Sequence, residues 1–151
     1  KRKEVVYDLY TGTGTIAQFI AQKCNKVIGI DIVKESINAA KTNSKNNDIK
    51  NAFFEYGDIK NLFNELFIKK YGSPDLIITD PPRNGMHKDV VKQILSIKPN
   101  KIIYVSCNSS TQARDLSYLY GSYKMSRCRA VDMFPHTNHI ENVVLLENNE
   151  K

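Results

Sequence analysis

The feature that most limits this chain is alternation. Short β-rich runs are followed, one after another, by stretches with the apolar spacing of a helix. Val5-Val6-Tyr7-Asp8-Leu9-Tyr10 reads as a buried strand, and residues 15–24 follow with Ile16, Phe19 and Ile20 at helical spacing. A second strand covers 26–31, and a helix over 34–46 carries Ile37 and Ala40 on one face. A third strand covers 52–56, and a third helix 62–70. Asp75-Leu76-Ile77-Ile78-Thr79-Asp80 is a fourth strand, ended by Pro81-Pro82 because proline cannot donate to the ladder. A helix over 88–97 turns Val90, Val91, Ile94 and Leu95 inward, and a fifth strand covers 101–106. Ser109, Ser110 or Thr111 can cap the next helix, which runs through Leu119. Residues 123–134 and 141–146 read as two last strands with no helix between them, which predicts a terminal antiparallel hairpin.

Such a pattern has few solutions. It requires an α/β fold with a mainly parallel, seven-stranded sheet covered on both faces. Ligands of these sheets collect beyond the carboxyl ends of the strands, at the switch point. The residues to watch are therefore Tyr10, Asp31, Asp58, Asp80 and Cys107, which end strands. A length of 151 residues fits one domain. No apolar run approaches the ~18 residues of a membrane helix, so no membrane association is expected. Lys1-Arg2-Lys3-Glu4 leads directly into the first strand, so no leader is expected either. Three widely spaced cysteines form neither a disulfide framework nor a zinc pattern, which points to a reducing, cytoplasmic setting. The net charge of +6 suits a polyanion and equally suits a solvated lysine-rich surface, so charge decides nothing.

Gly12-Thr13-Gly14 leaves the first strand and opens the first helix, where glycines let a backbone approach a ligand closely. Asp31 ends the second strand, where a carboxylate can accept from two ribose hydroxyls. Together they suit any adenosine-containing cofactor. They do not separate a nicotinamide cofactor from S-adenosylmethionine, because Gly12 to Ala17 also satisfies the dinucleotide pattern. Asp58 could reach an adenine amino group, and it can also cap the third helix. Asp80-Pro81-Pro82-Arg83 is more specific. Two rigid residues force the chain outward after a strand-end carboxylate and can present Asp80 to a planar nucleobase.

Cys107 closes the fifth strand just before a helix, whose N-terminus is expected to lower its pKa and make it a nucleophile. Cys24 and Cys128 lie away from that edge and are expected to be structural. A thiol serves base methylation at carbon 5 of uracil, which is a poor nucleophile by itself. Thiolate addition to carbon 6 turns the ring into an enolate that can attack a methyl sulfonium. A base must then remove the carbon 5 proton before the thiol leaves. Phe134-Pro135-His136-Thr137-Asn138-His139-Ile140-Glu141 offers that base, with His139 and Glu141 two apart on one face of a strand. A metal bound by His136, His139 and Glu141 competes as a reading, but no recognised zinc spacing is met. No metal is expected.

With these residues in place the chain resembles the RNA uridine-5-methyltransferases that act on ribosomal or transfer RNA. The matching stretches are Asp8 to Thr15, Asp80-Pro81-Pro82-Arg83, Ser106-Cys107-Asn108, and Asp132 to Thr137 with His139 and Glu141. The resemblance implies the Rossmann-like fold of class I S-adenosylmethionine-dependent methyltransferases and that compound as methyl donor. It places Tyr10, Gly12, Gly14, Thr15, Asp31, Asp58 and Asp80 against the donor. It makes Cys107 the nucleophile, Glu141 the proton acceptor and Asp80 a carboxylate near both base and donor. It also implies that residues 1–151 are the catalytic domain of a longer enzyme, with RNA-binding and central domains upstream. Any iron–sulfur cluster would belong to that upstream part. A monomer acting on a flipped-out uridine is expected. Two other readings stay open. One is a cofactor- or RNA-binding module without catalysis. The other is an amino-directed nucleic-acid methyltransferase, which would leave Cys107 and Glu141 unemployed.

Overall fold

The computed structural model describes residues 3–133, 135–137 and 140–150. Its strands are β1 (Val5–Leu9), β2 (Lys26–Asp31), β3 (Ala52–Tyr56), β4 (Leu76–Thr79), β5 (Lys101–Ser106), β6 (Tyr123–Val131) and β7 (Glu141–Asn148). They form one sheet in the order β3-β2-β1-β4-β5-β7-β6. The first five pair in parallel, and β7 joins β5 and β6 antiparallel. The terminal hairpin is therefore present, with β7 inserted between β5 and β6. Strand order reverses between β1 and β4, so the loops that leave these two strands flank one crevice.

The helices are α1 (Thr15–Ala21), α2 (Lys34–Asn46), α3 (Ile59–Leu62), α4 (Glu65–Tyr71), α5 (Lys88–Ile97) and α6 (Ser109–Leu119). Side chains alternate across each strand, so β1 feeds two cores. Tyr7 and Leu9 join Ile77, Ile94, Ile102 and Tyr104 in one. Val6 joins Ala17, Ala21, Ile37, Ala40 and Phe54 in the other. Ile37 and Ala40 turn inward as their spacing predicts, and so do Val90, Val91 and Ile94, with Leu95 only partly covered.

Four local expectations are corrected. The helix predicted over 15–24 stops at Ala21, and its buried face is Ala17 and Ala21. Phe19 is 73% exposed, with the Lys23 ammonium 5.3 Å from its ring centre. The helix predicted over 62–70 is two short helices, because Asn64 accepts from Phe67 N and starts α4 afresh. The cap of α6 is Asn108, whose side chain accepts from Ser110 N and Thr111 N, so none of the hydroxyls of 109–111 is needed. Strand β6 ends at Val131, short of the predicted 134. No helix among the described residues is long and apolar enough to cross a membrane.

Candidate active site

The β1–α1 loop is organised by two carboxylates. Asp8 is 1% exposed, although it sits in an otherwise apolar strand. It accepts from the Thr11 hydroxyl and from Ala17 N at 3.1 Å, which fastens the loop to the start of α1. Burial is the main reason that its carboxyl is raised to about 6, and the nearby Asp80 and Asp31 add to the effect. Asp31 accepts from Gly12 N at 2.8 Å with one oxygen and from Val33 N at 2.8 Å with the other. Each oxygen keeps a lone pair for a further donor.

The two loop glycines do different work. A Cβ on Gly12 would meet nothing within 4 Å, so its backbone faces open space. A Cβ on Gly14 would lie 2.8 Å from the Phe54 ring, so this glycine lets the loop pack against β3. Tyr10 stands in the left-handed region at φ 63, an uncommon conformation for a side chain of its size. Burial pushes its phenol up to about 12. Thr15 is exposed at the first turn of α1. Asp58 caps α3 through Lys60 N at 3.1 Å and pairs with the Lys60 ammonium at 3.2 Å.

On the other side of the crevice, the Asp80-Pro81-Pro82-Arg83 loop is tied to the segment after Cys107. The Arg83 carbonyl accepts from Asn108 Nδ2 at 3.1 Å and from the Thr111 hydroxyl at 3.0 Å. The Asn84 carbonyl accepts from Arg114 at 2.8 Å. Asp115, fully buried, accepts from Met86 N at 2.7 Å and from the Tyr104 hydroxyl at 2.7 Å. The loop after β4 is thus clamped onto β5 and α6. Asp80 keeps an exposed surface, and partial desolvation of its carboxyl raises it above its usual range, with the charge of Glu141 adding to the effect. Asp80 therefore feels the charge of Glu141, although 61 residues separate them in the sequence.

Cys107 is half-buried and directly precedes the cap of α6. The β5–β7 ladder ends with Ser106 opposite Asn142. Cys107 and Glu141 each lie one residue beyond that last rung, just after β5 and at the start of β7 respectively. Of the other thiols, Cys24 is 4% exposed and buried as expected. Cys128 departs from the structural role expected of it, because it is exposed on β6 with its thiol toward Asn142 Oδ1 at 3.4 Å. His139, the proposed neighbour of Glu141, lies outside the described residues, as does Phe134. Among the described residues no three His, Cys, Asp or Glu side chains group as metal ligands do.

Strand-end reasoning missed Asp8, Gln112, Asp115 and Asn142. A signal was present for three of them. Asp8 is a carboxylate inside an apolar run. Gln112 and Asp115 are polar residues three apart, on the helix face that also buries Leu119.

The arrangement fits an adenosine-bearing sulfonium. The charges of Asp80 and Asp31 help to raise the buried Asp8 carboxyl, and a cation bound beside them would relieve that repulsion. The sequence profile of the tRNA (Uracil-5-)-methyltransferase family matches residues 1–149. The chain belongs to that family. An uncharacterized RNA methyltransferase of Bacteroides thetaiotaomicron is 59% identical over 145 residues, which are 96% of this chain and 32% of that protein. One from Porphyromonas gingivalis is 55% identical over 148 residues, 97% of this chain and 32% of that protein. This chain thus spans about a third of the length of the curated relatives it matches. A tRNA (uracil-54, C5)-methyltransferase of Pyrococcus abyssi, solved with S-adenosyl-L-homocysteine, superposes with a TM-score of 0.84 at 35% identity. That match covers 97% of this chain and 34% of the other. An rRNA methylase of Streptococcus thermophilus shares the fold at a TM-score of 0.76 and 16% identity, over 98% of this chain and 88% of the other. The fold is that of the class I S-adenosylmethionine-dependent methyltransferases.

Proposed function

We propose that residues 1–151 are the catalytic domain of a longer enzyme that methylates carbon 5 of a uridine in RNA, with Cys107 as nucleophile. The observation that carries this reading is the rim itself. A half-buried thiol just past β5, a carboxylate at the end of β4, another at the start of β7 and a glycine loop after β1 share the carboxyl-end side of the sheet. S-adenosylmethionine supplies an electrophilic methyl group when bound. Asp31 offers its free lone pairs to the ribose hydroxyls, Gly12 gives the donor room, and Tyr10, Gly14, Thr15 and Asp58 frame the rest of its site. Asp80 faces both the sulfonium and the polar edge of the uracil ring.

The Cys107 thiolate adds to carbon 6 of the uracil, and the electron pair of the carbon 5–carbon 6 double bond moves into the ring carbonyl as an enolate. Carbon 5 is then nucleophilic and would take the methyl group of a bound donor, whose methyl–sulfur bond breaks with its electrons on sulfur to leave S-adenosyl-L-homocysteine. Glu141 removes the proton left on carbon 5, that bond's electrons restore the double bond, and the carbon–sulfur bond breaks to release the thiolate. The target base leaves the helical stack to reach the thiol, because carbon 6 is inaccessible in a stacked duplex. The positions of the flanking RNA contacts belong to the rest of the polypeptide.

Substituting Cys107→Ala in the intact protein tests the reading. Methyl transfer to uridine-containing RNA falls by roughly 10³-fold or more, the scale on which loss of a nucleophile acts. RNA carrying 5-fluorouridine traps a covalent adduct, because fluorine cannot leave as a proton. Undiminished turnover by the variant, or methyl found on an exocyclic amine by mass spectrometry of product nucleosides, overturns it.

A further inference from the structure

Gln112 is a buried polar side chain that the chemistry above does not use. It is 1% exposed. Its Nε2 donates to the Tyr104 carbonyl at 3.0 Å and to the Asn142 carbonyl at 3.1 Å. Its Oε1 accepts from Asn142 Nδ2 at 2.6 Å. Both amide hydrogens and the amide oxygen are therefore engaged, and all three bonds reach the main chain of β5 or residue 142 of β7. Burying an amide costs free energy that only such bonds offset, and an aliphatic side chain would fill the same space without that cost. Core packing alone does not call for glutamine here.

The place of the clamp gives it meaning. Asn142 pairs with Ser106 in the last rung of the β5–β7 ladder, one residue before Glu141 and Cys107. Strand ends are where ladders open most readily. Gln112 also lies on α6, whose cap Asn108 directly follows Cys107. One rigid helix thus starts at the thiol and grips the strand that brings the carboxylate. We infer that Gln112 is a positioning residue: with Asn142 it holds the Glu141 carboxylate at carbon 5 of the uracil whose carbon 6 is bound to Cys107. This rests on the roles of Cys107 and Glu141 proposed above.

The step it serves is loss of the carbon 5 proton. That proton passes to Glu141, the carbon–hydrogen electrons re-form the carbon 5–carbon 6 double bond, and the carbon 6–sulfur bond breaks with its electrons on sulfur. A misplaced carboxylate slows this step and leaves addition and methyl transfer intact. The methylated adduct then accumulates on ordinary uridine RNA.

The test uses the intact protein with S-adenosylmethionine and unmodified RNA, and reads covalent protein–RNA complex on denaturing gels alongside the thermal midpoint. Gln112→Met keeps the volume and removes the hydrogen bonds. Its turnover falls on the order of 10²-fold, as a displacement of ~1 Å can cause, and the adduct builds up as it does in Glu141→Gln. Gln112→Leu combined with Asn142→Leu removes both amides and recovers part of the thermal stability, because neither side chain is left stranded and only the Tyr104 and residue 142 carbonyls lose a donor. It still accumulates the adduct. Turnover that returns with stability in the double variant overturns the inference, because a merely structural role behaves that way. So does a Gln112→Met protein that loses turnover without adduct while Glu141→Gln accumulates it. No adduct in Glu141→Gln itself sinks the proposed role of Glu141, and this inference with it.

Discussion

The two sides of the crevice are held together by different means. On the side of β1 and β2, the fastening bonds are short in sequence. Asp8 reaches Thr11 and Ala17, three and nine residues on, and Asp31 reaches back nineteen residues to Gly12. Each ties a carboxylate of β1 or β2 to a main-chain N–H or a hydroxyl of the β1–α1 loop or of α1. On the side of β4, β5 and β7, four of the fastening bonds span 25 to 30 residues, Asn108 to Arg83, Met86 to Asp115, Arg114 to Asn84, and Gln112 to Asn142, beside shorter ones from Tyr104 to Asp115 and to Gln112. The first side is a loop that largely organises itself. The second is assembled by tertiary contact, and α6 is its common anchor. A site that must bring a thiol and a carboxylate from distant strands to one base needs such an anchor, whereas a nucleoside-binding loop does not.

This contrast can be broken most forcefully at Asp115. Asp115→Ala strands the Met86 amide and the Tyr104 hydroxyl in the interior, at about 1–3 kcal/mol each, so a loss of about 4 kcal/mol is expected. Urea unfolding measures it, and a loss below about 1 kcal/mol, the scale of one ordinary hydrogen bond, shows that the second side does not depend on α6.

Next in size is the pH response of Asp8. Its folded carboxyl is raised to about 6 from 3.8. A raised carboxyl favours the folded state while protonated, and that contribution fades as pH rises toward 6 and beyond. Relative to Asp8→Asn, the unaltered protein therefore loses about 3 kcal/mol of stability between pH 4 and 7, at ~1.4 kcal/mol for each pH unit of displacement. Parallel denaturation series at several pH values give the difference, and two curves of equal slope count against a strained carboxylate beneath the loop.

Smaller again is the difference between the two loop glycines. Gly14→Ala meets the Phe54 ring and is expected to cost about 2 kcal/mol. Gly12→Ala meets open space and costs about 1 kcal/mol for its left-handed backbone. Its larger effect is on calorimetric affinity for S-adenosyl-L-homocysteine. Equal stability losses with unchanged affinity remove the distinction between them. The smallest effect crosses the crevice: Glu141→Gln lets the Asp80 carboxyl fall toward its ordinary range, because the charge raising it is gone. Carboxyl NMR titration follows this shift, and an immobile Asp80 separates the two carboxylates.

The sequence by itself determined the alternation of strands and helices, the antiparallel end of the sheet, and the strand-end positions of Tyr10, Asp31, Asp58, Asp80 and Cys107. These follow from periodicity and from proline and glycine punctuation, which act over a few residues. Tertiary structure alone decided that β7 slots between β5 and β6. That insertion is why the start of β7, with Glu141, lies beside the end of β5, which leads into Cys107. It also decided that Gln112 and Asp115 are interior. A polar side chain on a helix reads as solvent-facing until its partners 29 and 30 residues away are known. Pairing of distant segments depends on which surfaces meet after the chain has closed, and no local pattern encodes that.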